Sequence, residues 1–380
     1  MSISNGIQVN VLDVEFFSFS YTPLELRNQW IEKFSKVIQE EGVFIGGKNV
    51  IEFENDWANA NDSKFAIGVS NGFDGLTLAL RSLGIEKGWR VAVPAHTFIA
   101  TWNAVISLGA TPIGVDVDDD GLMDLEQFHL IAPKVQAVIP VHMHGSTVDM
   151  NLMHQICTDT NLVSPIRIVE DASQAHGALN RDGSGLGKYS DAVVYSLYPT
   201  KNLGALGDAG IVTTNSQILQ EKIRSLSNYG SSKESKYSHE VLGFNNRLDP
   251  IQAAVLSENL KLLNEWNSWR RELSNIYITE LSGILNVLQT SRLDSVRHHL
   301  CVLTPHREEL KKFLISTGVK TEIHYPNVAG IEALRFLGRE ARFPKSEEIA
   351  KNTLSLPLSQ WHNTEQILYV ISQIKTWIKS

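Results

Sequence analysis

From about residue 64 onward, short apolar runs alternate with helical patterns, and that alternation restricts the chain to a narrow set of folds. Residues 65–70 read as a strand, followed by a helix through Leu76, Leu78, Leu80 and Leu83. A strand at residues 90–94, a helix near 99–108 and a strand at 112–115 come next. Runs at 135–141, 166–170 and 191–195 complete the series, with 210–214 as one further strand. Continuously apolar strands separated by helices predict an α/β fold, a mostly parallel sheet with helices on both faces. In such sheets ligands bind at the carboxyl ends of the strands.

At 380 residues the chain is too long for one compact core. The reading divides it into a large domain with an N-terminal arm (residues 1–250) and a smaller α+β domain (residues 251–380). A long helical stretch over 250–277 bridges them. The smaller domain has strand candidates at 299–303 and 321–325 and helices over 308–316 and 364–378. A net charge of −8 gives no electrostatic case for a nucleic acid or an anionic membrane surface. Cys157 and Cys301, far apart and in no metal-like spacing, argue against a disulfide framework and a structural zinc site. No basic segment leads into an apolar stretch at the N-terminus, and no run approaches the roughly 20 apolar residues that cross a bilayer, so the expectation is a cytoplasmic protein.

The chemistry is concentrated at two strand ends. Lys201 sits in Tyr195-Ser196-Leu197-Tyr198-Pro199-Thr200-Lys201-Asn202-Leu203, just past one apolar run. Another run ends in Glu170-Asp171-Ala172-Ser173-Gln174-Ala175-His176-Gly177. A lysine and an aspartate on neighbouring strand ends are what pyridoxal phosphate requires. The amine forms a Schiff base with the cofactor aldehyde, and the carboxylate pairs with the protonated ring nitrogen.

Other segments read two ways. Ser70-Asn71-Gly72-Phe73-Asp74-Gly75-Leu76 is an ordinary strand-to-helix turn or a phosphate cradle built from free helix-start N–H groups. Ser196 stands where its hydroxyl reaches the same phosphate. Phe98 is a ring to stack on a flat cofactor or a core residue. Gln174 is a partner for the cofactor ring hydroxyl or a surface residue at a helix start. His176 supports Asp171 or is a satisfied buried histidine. Asp249 before Pro250 makes an N-cap with proline at the first helical position, leaving Asn245 and Arg247 free to serve a ligand.

Taken together these motifs resemble the DegT–StrS sugar aminotransferases, pyridoxal-phosphate enzymes with the aspartate-aminotransferase-type fold (fold type I). The resemblance runs nearly end to end. It begins at Gly42-Val43-Phe44-Ile45-Gly46-Gly47 with Phe53-Glu54, and passes through Val69-Ser70-Asn71-Gly72, Pro94 with Thr97-Phe98, and Pro140-Val141-His142. The Asp171 and Lys201 motifs, Gly243-Phe244-Asn245-Asn246-Arg247 and His324-Tyr325-Pro326 complete it.

The resemblance implies that Lys201 carries the cofactor and moves the proton. Asp171 would pair with the ring nitrogen, Gln174 with the ring hydroxyl, and Phe98 would stack on the ring. Gly72, the Phe73 backbone and Ser196 would hold the phosphate. Asn245 would reach that phosphate from the other subunit of a homodimer with a shared site. Tyr229 and His324 lie in segments that line the sugar pocket of relatives.

The sequence also departs from the pattern. Phe73 replaces the usual threonine, removing one side-chain hydrogen bond worth about 0.5–1.5 kcal/mol. Gly75 replaces alanine, Trp89-Arg90 an acidic pair and His144 a tyrosine, and Asn327-Val328-Ala329-Gly330 lacks an expected proline and histidine. The reading that follows is an aminotransferase passing an amino group from glutamate to a keto-sugar nucleotide, with the 3-amino-sugar members most similar. Alternatives are an aminocyclitol aminotransferase with glutamine as donor and a non-catalytic sensor that kept the fold. The sugar dehydratases of the family carry histidine in place of the lysine, and here Lys201 is intact.

Overall fold

A computed structural model of the chain describes residues 12–159, 161–231, 238–292, 294–326 and 342–380. Its centre is a seven-stranded sheet built from β1 (Phe65–Val69), β2 (Arg90–Pro94), β3 (Thr111–Val115), β4 (Ala137–Val138), β5 (Arg167–Asp171), β6 (Ala192–Ser196) and β7 (Gly210–Thr214). The order across the sheet is β1-β7-β6-β5-β4-β2-β3. Every pairing from β6 to β3 is parallel, whereas β7 runs antiparallel to both β6 and β1. The cause lies in the connection. The parallel strands are separated by segments long enough for a crossover, but β6 and β7 are joined through residues 197–209 with no intervening helix, so the chain turns back beside itself.

Side chains alternate across the sheet as the strand period requires. On β6, Val193 and Tyr195 join a core with α1 (Leu24–Lys36), α2 (Lys48–Ala60) and α8 (Pro250–Leu260). Ala192 and Val194 face the opposite core, filled by α3 (Gly72–Ser82), α4 (Ile99–Ser107) and α7 (Gln217–Ser227). α5 (Leu125–Ile131) and α6 (Met150–Cys157) cover the β3–β5 side. The two N-terminal helices escaped the sequence reading. Their apolar residues are few and flanked by charge, yet Leu26, Trp30, Phe53 and Trp57 are buried.

The 250–277 stretch is two helices, α8 and α9 (Leu263–Leu281), because the chain tightens into i→i+3 hydrogen bonds at Lys261 and Leu262. Pro250 occupies the first turn of α8 as expected. Asp249 stands at the N-cap with extended backbone, also as expected, although its side chain makes no capping hydrogen bond. Beyond α9 a three-stranded sheet, β10-β9-β8, joins β8 (Asn286–Val287), β9 (Leu300–Leu303) and β10 (Thr353–Leu356). It packs with α9, α10 (Arg307–Ser316) and α12 (Thr364–Lys379), and Val14 from the N-terminal segment lies in the same core. α11 (Pro344–Asn352) leads into β10. Residues 321–325 form no strand, only a single bridge from Glu322 to Ser355. Asn327, Val328, Ala329 and Gly330 lie outside the described residues.

Two glycines bring the start of α3 against the sheet. A Cβ at Gly210 on β7 would sit 2.6 Å from the carbonyl carbon and oxygen of Asn71 and 3.0 Å from the Gly72 nitrogen. These are backbone atoms with nowhere to go. Gly210→Ala is therefore expected to destabilise the protein by about 1–3 kcal/mol in urea unfolding, in line with overpacking elsewhere. An unchanged midpoint would show that α3 is free to move away from β7.

Candidate active site

The carboxyl ends of β5 and β6, the start of α3 and the segments at 298–299 and 324–325 surround a cleft of about 630 Å³. Lys201, Asp171, Gln174, Ser196, Gly72, Phe73, Phe98 and His324 all line it. The cleft thus gathers eight of the residues singled out from the sequence. Asn245 and Tyr229 do not line it. Asn245 bridges to Asn228, and Tyr229 lies beneath the Arg247 guanidinium, 5.4 Å from the ring centroid.

Asp171 is the last residue of β5 and is buried. The Thr101 hydroxyl donates to its Oδ2 at 2.8 Å and the Ser173 N–H to its Oδ1 at 3.1 Å. Thr97 in turn donates to Thr101 at 3.1 Å, so a short chain from α4 and the loop before it orients the carboxylate. Thr101 was not foreseen, because a threonine in a helix gives no signal until the fold brings it across to β5. His176 does not support Asp171. Its Nε2 donates to the Ser196 carbonyl at 2.7 Å, its Nδ1 has no partner among the described residues, and burial together with the Lys201 charge lowers its pKa to about 3. It is a neutral ring that fixes the end of β6.

Lys201 lies in the turn back to β7, its backbone N–H bonded to the Tyr198 carbonyl at 2.9 Å. Burial lowers its pKa to about 8, and the Asp171 charge opposes the shift. An amine in that range exchanges a proton near neutral pH and is nucleophilic over a useful fraction of its population.

At the start of α3 the Asn71 side chain accepts from the Asp74 N–H at 2.9 Å. Gly72 and Phe73, whose N–H groups have no carbonyl acceptor within the helix, line the cleft at the positive end of α3. A Cβ at Gly72 would lie 2.8 Å from Ser196 Cβ, so glycine leaves a hollow beside the Ser196 hydroxyl. The Phe73 side chain packs partly buried against the core on that face of the sheet. Phe98 keeps 53% of its surface exposed, with its ring 5.4 Å from that of Tyr325, as a stacking residue rather than a core residue would. These features fit pyridoxal phosphate: donors for its phosphate, a carboxylate for its ring nitrogen, a flat apolar cover and a buried amine.

His298, His299 and His324 line one side of the cleft, with His144 and His96 packed behind them. His299 stacks on His324 at 3.8 Å and contacts His298 at 4.0 Å, and its Nδ1 is 3.4 Å from that of His144. His96 lies 6.1 Å from His144, ring to ring, with neither of its nitrogens bonded among the described residues. Burial lowers the pKa of each, to about 4 for His96, about 3 for His324 and well below the usual value for the others. The wall is therefore uncharged. Among the described lining residues the lysine, arginine, aspartate and glutamate side chains are Lys201, Asp171 and Asp208. Among the described residues no group of three or more histidine, cysteine, aspartate or glutamate side chains is arranged to hold a metal.

The model of the DegT/DnrJ/EryC1/StrS aminotransferase family matches residues 25–375. The chain belongs to this family. It is 37% identical over 372 residues to the dTDP-3-amino-3,4,6-trideoxy-alpha-D-glucose transaminase of Streptomyces venezuelae, covering 96% of each. Among solved structures it is similar to S. venezuelae DesV in complex with a ketimine intermediate, with a TM-score of 0.91, 37% identity, and 97% and 99% of the two chains covered. It is also similar to ntda from Bacillus subtilis with bound cofactor PMP, at a TM-score of 0.87 and 27% identity over 95% and 83% of the chains. The protein is a pyridoxal-phosphate-dependent aminotransferase with fold type I architecture.

When bound, the cofactor supplies an electron sink for a carbanion next to the amine nitrogen. Asp171 and Ser196 are placed where they would orient it, and Lys201 Nζ where it would hold the mobile proton. An amine attacks an aldehyde only when unprotonated, so cofactor capture through Lys201 should speed up roughly tenfold per pH unit below the pKa. It should level off above pH about 8. A stopped-flow series at fixed cofactor concentration measures this, and a rate still climbing at pH 10 would place the lysine in an unshifted, hydrated environment.

Proposed function

We propose that this aminotransferase takes an amino group from glutamate and delivers it to a keto-sugar nucleotide, a 3-keto-6-deoxyhexose nucleotide by preference, in cytoplasmic amino-sugar biosynthesis. The observation that carries the reading is an intact Lys201–Asp171 pair in a cleft whose opposite wall is made of neutral histidines and Tyr325. Uncharged donors and acceptors suit the hydroxyls of a sugar ring, and the dTDP-sugar transaminase similar over the whole chain supports the substrate class. A sensor that had abandoned catalysis would have no need of both Lys201 and Asp171.

In this reading Lys201 is the catalytic residue, holding the cofactor and relaying the proton. Asp171, Gln174, Ser196, Gly72, Phe73 and Phe98 bind the cofactor, and His324 faces the sugar. Residues 1–250 act as the cofactor-holding lobe and residues 251–380 as the smaller lobe that closes over the substrate.

The working unit is a homodimer with a shared site. Lys201 is the one cationic side chain among the described residues lining the cleft, yet the cofactor phosphate, the nucleotide diphosphate and two glutamate carboxylates all need positive partners. Asn245 and Arg247 lie outside their own cleft, on a surface where Val43, Phe44, Ile45, Tyr229, Val241 and Leu242 are exposed. A second copy covers that apolar surface and receives Asn245 at its cofactor phosphate, with Arg247 and Tyr229 toward its substrate.

A visible spectrum of purified protein with cofactor should show a lysine-bound band in wild type and none in Lys201→Ala, and glutamate should bleach it. Mass spectrometry over a panel of keto-sugar nucleotides then reads the product, and a product from scyllo-inosose alone would favour the aminocyclitol alternative. Mixing Lys201→Ala with Asn245→Ala subunits tests the shared site. Each variant alone should be nearly inactive, and an equimolar mixture should recover about a quarter of wild-type activity, since about half of its dimers are mixed and each of those has one of its two sites complete. No recovery on mixing would place Asn245 outside the partner's site.

A further inference from the structure

A hydrogen-bond chain whose direction is set by the backbone runs through the cleft wall. It starts at the His144 N–H, a group that only donates, which is 2.7 Å from Gln174 Oε1. His144 is held there in a left-handed turn with φ of 59°. That turn is pinned by the His298 N–H on the His144 carbonyl at 3.0 Å and the Val296 N–H on the Gly145 carbonyl at 3.0 Å. With Oε1 committed, the Gln174 amide has one orientation, and its Nε2 donates to the Tyr325 hydroxyl oxygen at 3.0 Å. A phenol that accepts at its oxygen still has its own proton to donate. The hydroxyl has no other hydrogen-bond partner among the described residues, and Tyr325 lines the cleft beside Lys201 and His324.

We propose that Gln174 is a positioning residue that commits the Tyr325 O–H to donating into the cleft, making Tyr325 a specificity-determining donor to an oxygen of the sugar substrate. This rests on the keto-sugar nucleotide reading given above. Burial raises the Tyr325 pKa, and the Asp171 and Cys301 charges add to the rise, so the group is a phenol and not a phenolate across the working pH range. Its ring is held by Phe98 at 5.4 Å and, edge to face, by His324 at 4.9 Å, which fixes where the hydroxyl oxygen sits. The second hydrogen of Gln174 Nε2 stays free for the cofactor ring hydroxyl, so one amide serves both partners without competition. The ligand selected at Tyr325 is an acceptor oxygen, a carbonyl or a hydroxyl, and a deoxy sugar lacking it gains nothing from the residue.

The experiment compares the two half-reactions of the holoenzyme by stopped flow, the first with glutamate and the second with a keto-sugar nucleotide. Tyr325→Phe removes only the hydroxyl. Gln174→Glu keeps shape and the acceptor for His144 N–H but turns the second contact round, so that the carboxylate takes the Tyr325 proton away from the cleft. Any effect of Gln174 on the cofactor is common to both half-reactions and cancels in their ratio. The sugar-to-glutamate ratio of kcat/KM should fall about tenfold in Tyr325→Phe, in Gln174→Glu and in the double variant alike. Calorimetry should show dTDP-glucose, an unreactive probe, binding the Tyr325→Phe holoenzyme correspondingly more weakly than wild type. A ratio unchanged in Tyr325→Phe overturns the assignment, and additive losses in the double variant overturn the positioning role of Gln174. A wild-type enzyme that accepts glutamate but aminates no keto-sugar nucleotide overturns the underlying reading, and the assignment with it.

Discussion

Asn202 ties Lys201, the lysine proposed to carry the cofactor, to the rest of the molecule. Its side chain is fully buried, and its Nδ2 donates to Asn267 Oδ1 at 2.8 Å and to the Val296 carbonyl at 2.9 Å. His298 Nδ1 donates to its Oδ1 at 2.9 Å. Asn267 belongs to α9 and donates onward to the His176 carbonyl at 2.8 Å. One amide thus joins the turn that carries Lys201 to the long helix, to the segment after Asp171 and to the histidine wall. Buried amides of this kind are costly if any link is lost, so the network holds a single arrangement. Leu203 and Ala205, also buried, lock the far side of the same turn.

The electrostatics follow from that enclosure. Removing water from the cleft makes a charged imidazole expensive, and every histidine of the wall is pushed toward neutrality. The same desolvation brings Lys201 into the range where it trades protons, with Asp171 limiting the fall. Glu170, next to Asp171, is equally buried but is saturated by His142 at 2.7 Å, the Gly187 N–H at 2.9 Å and the Ser190 hydroxyl at 2.5 Å. Adjacent carboxylates therefore serve different ends: Glu170 braces strand ends inside the protein, and Asp171 faces the cleft. Strand alternation is the reason, since successive side chains point to opposite faces.

Much of this was legible in the chain. The apolar runs located the strands of the large sheet to within a few residues, and the residues flanking β5 and β6 carried the chemistry in short motifs. What escaped depends on contacts between distant segments. α1 and α2 are amphipathic but polar on average, so charge hides their few large apolar side chains until those side chains find the sheet. Thr101 and Tyr325 reach Asp171 and Gln174 across 70 and 151 residues. His176, placed by sequence beside Asp171, turns instead to the Ser196 carbonyl.

The sequence by itself determined the alternation of strand and helix, the pairing of a lysine with an aspartate at strand ends, and a glycine where α3 starts. These are local properties, set by side-chain period and by backbone freedom over a few residues. Only the tertiary structure decided that β7 runs backward, that five neutral histidines meet opposite Lys201, and that Asn245 lies outside its own cleft. Direction, desolvation and hydrogen-bond polarity arise when segments far apart in the chain exclude water from one another, and no window of sequence contains that information.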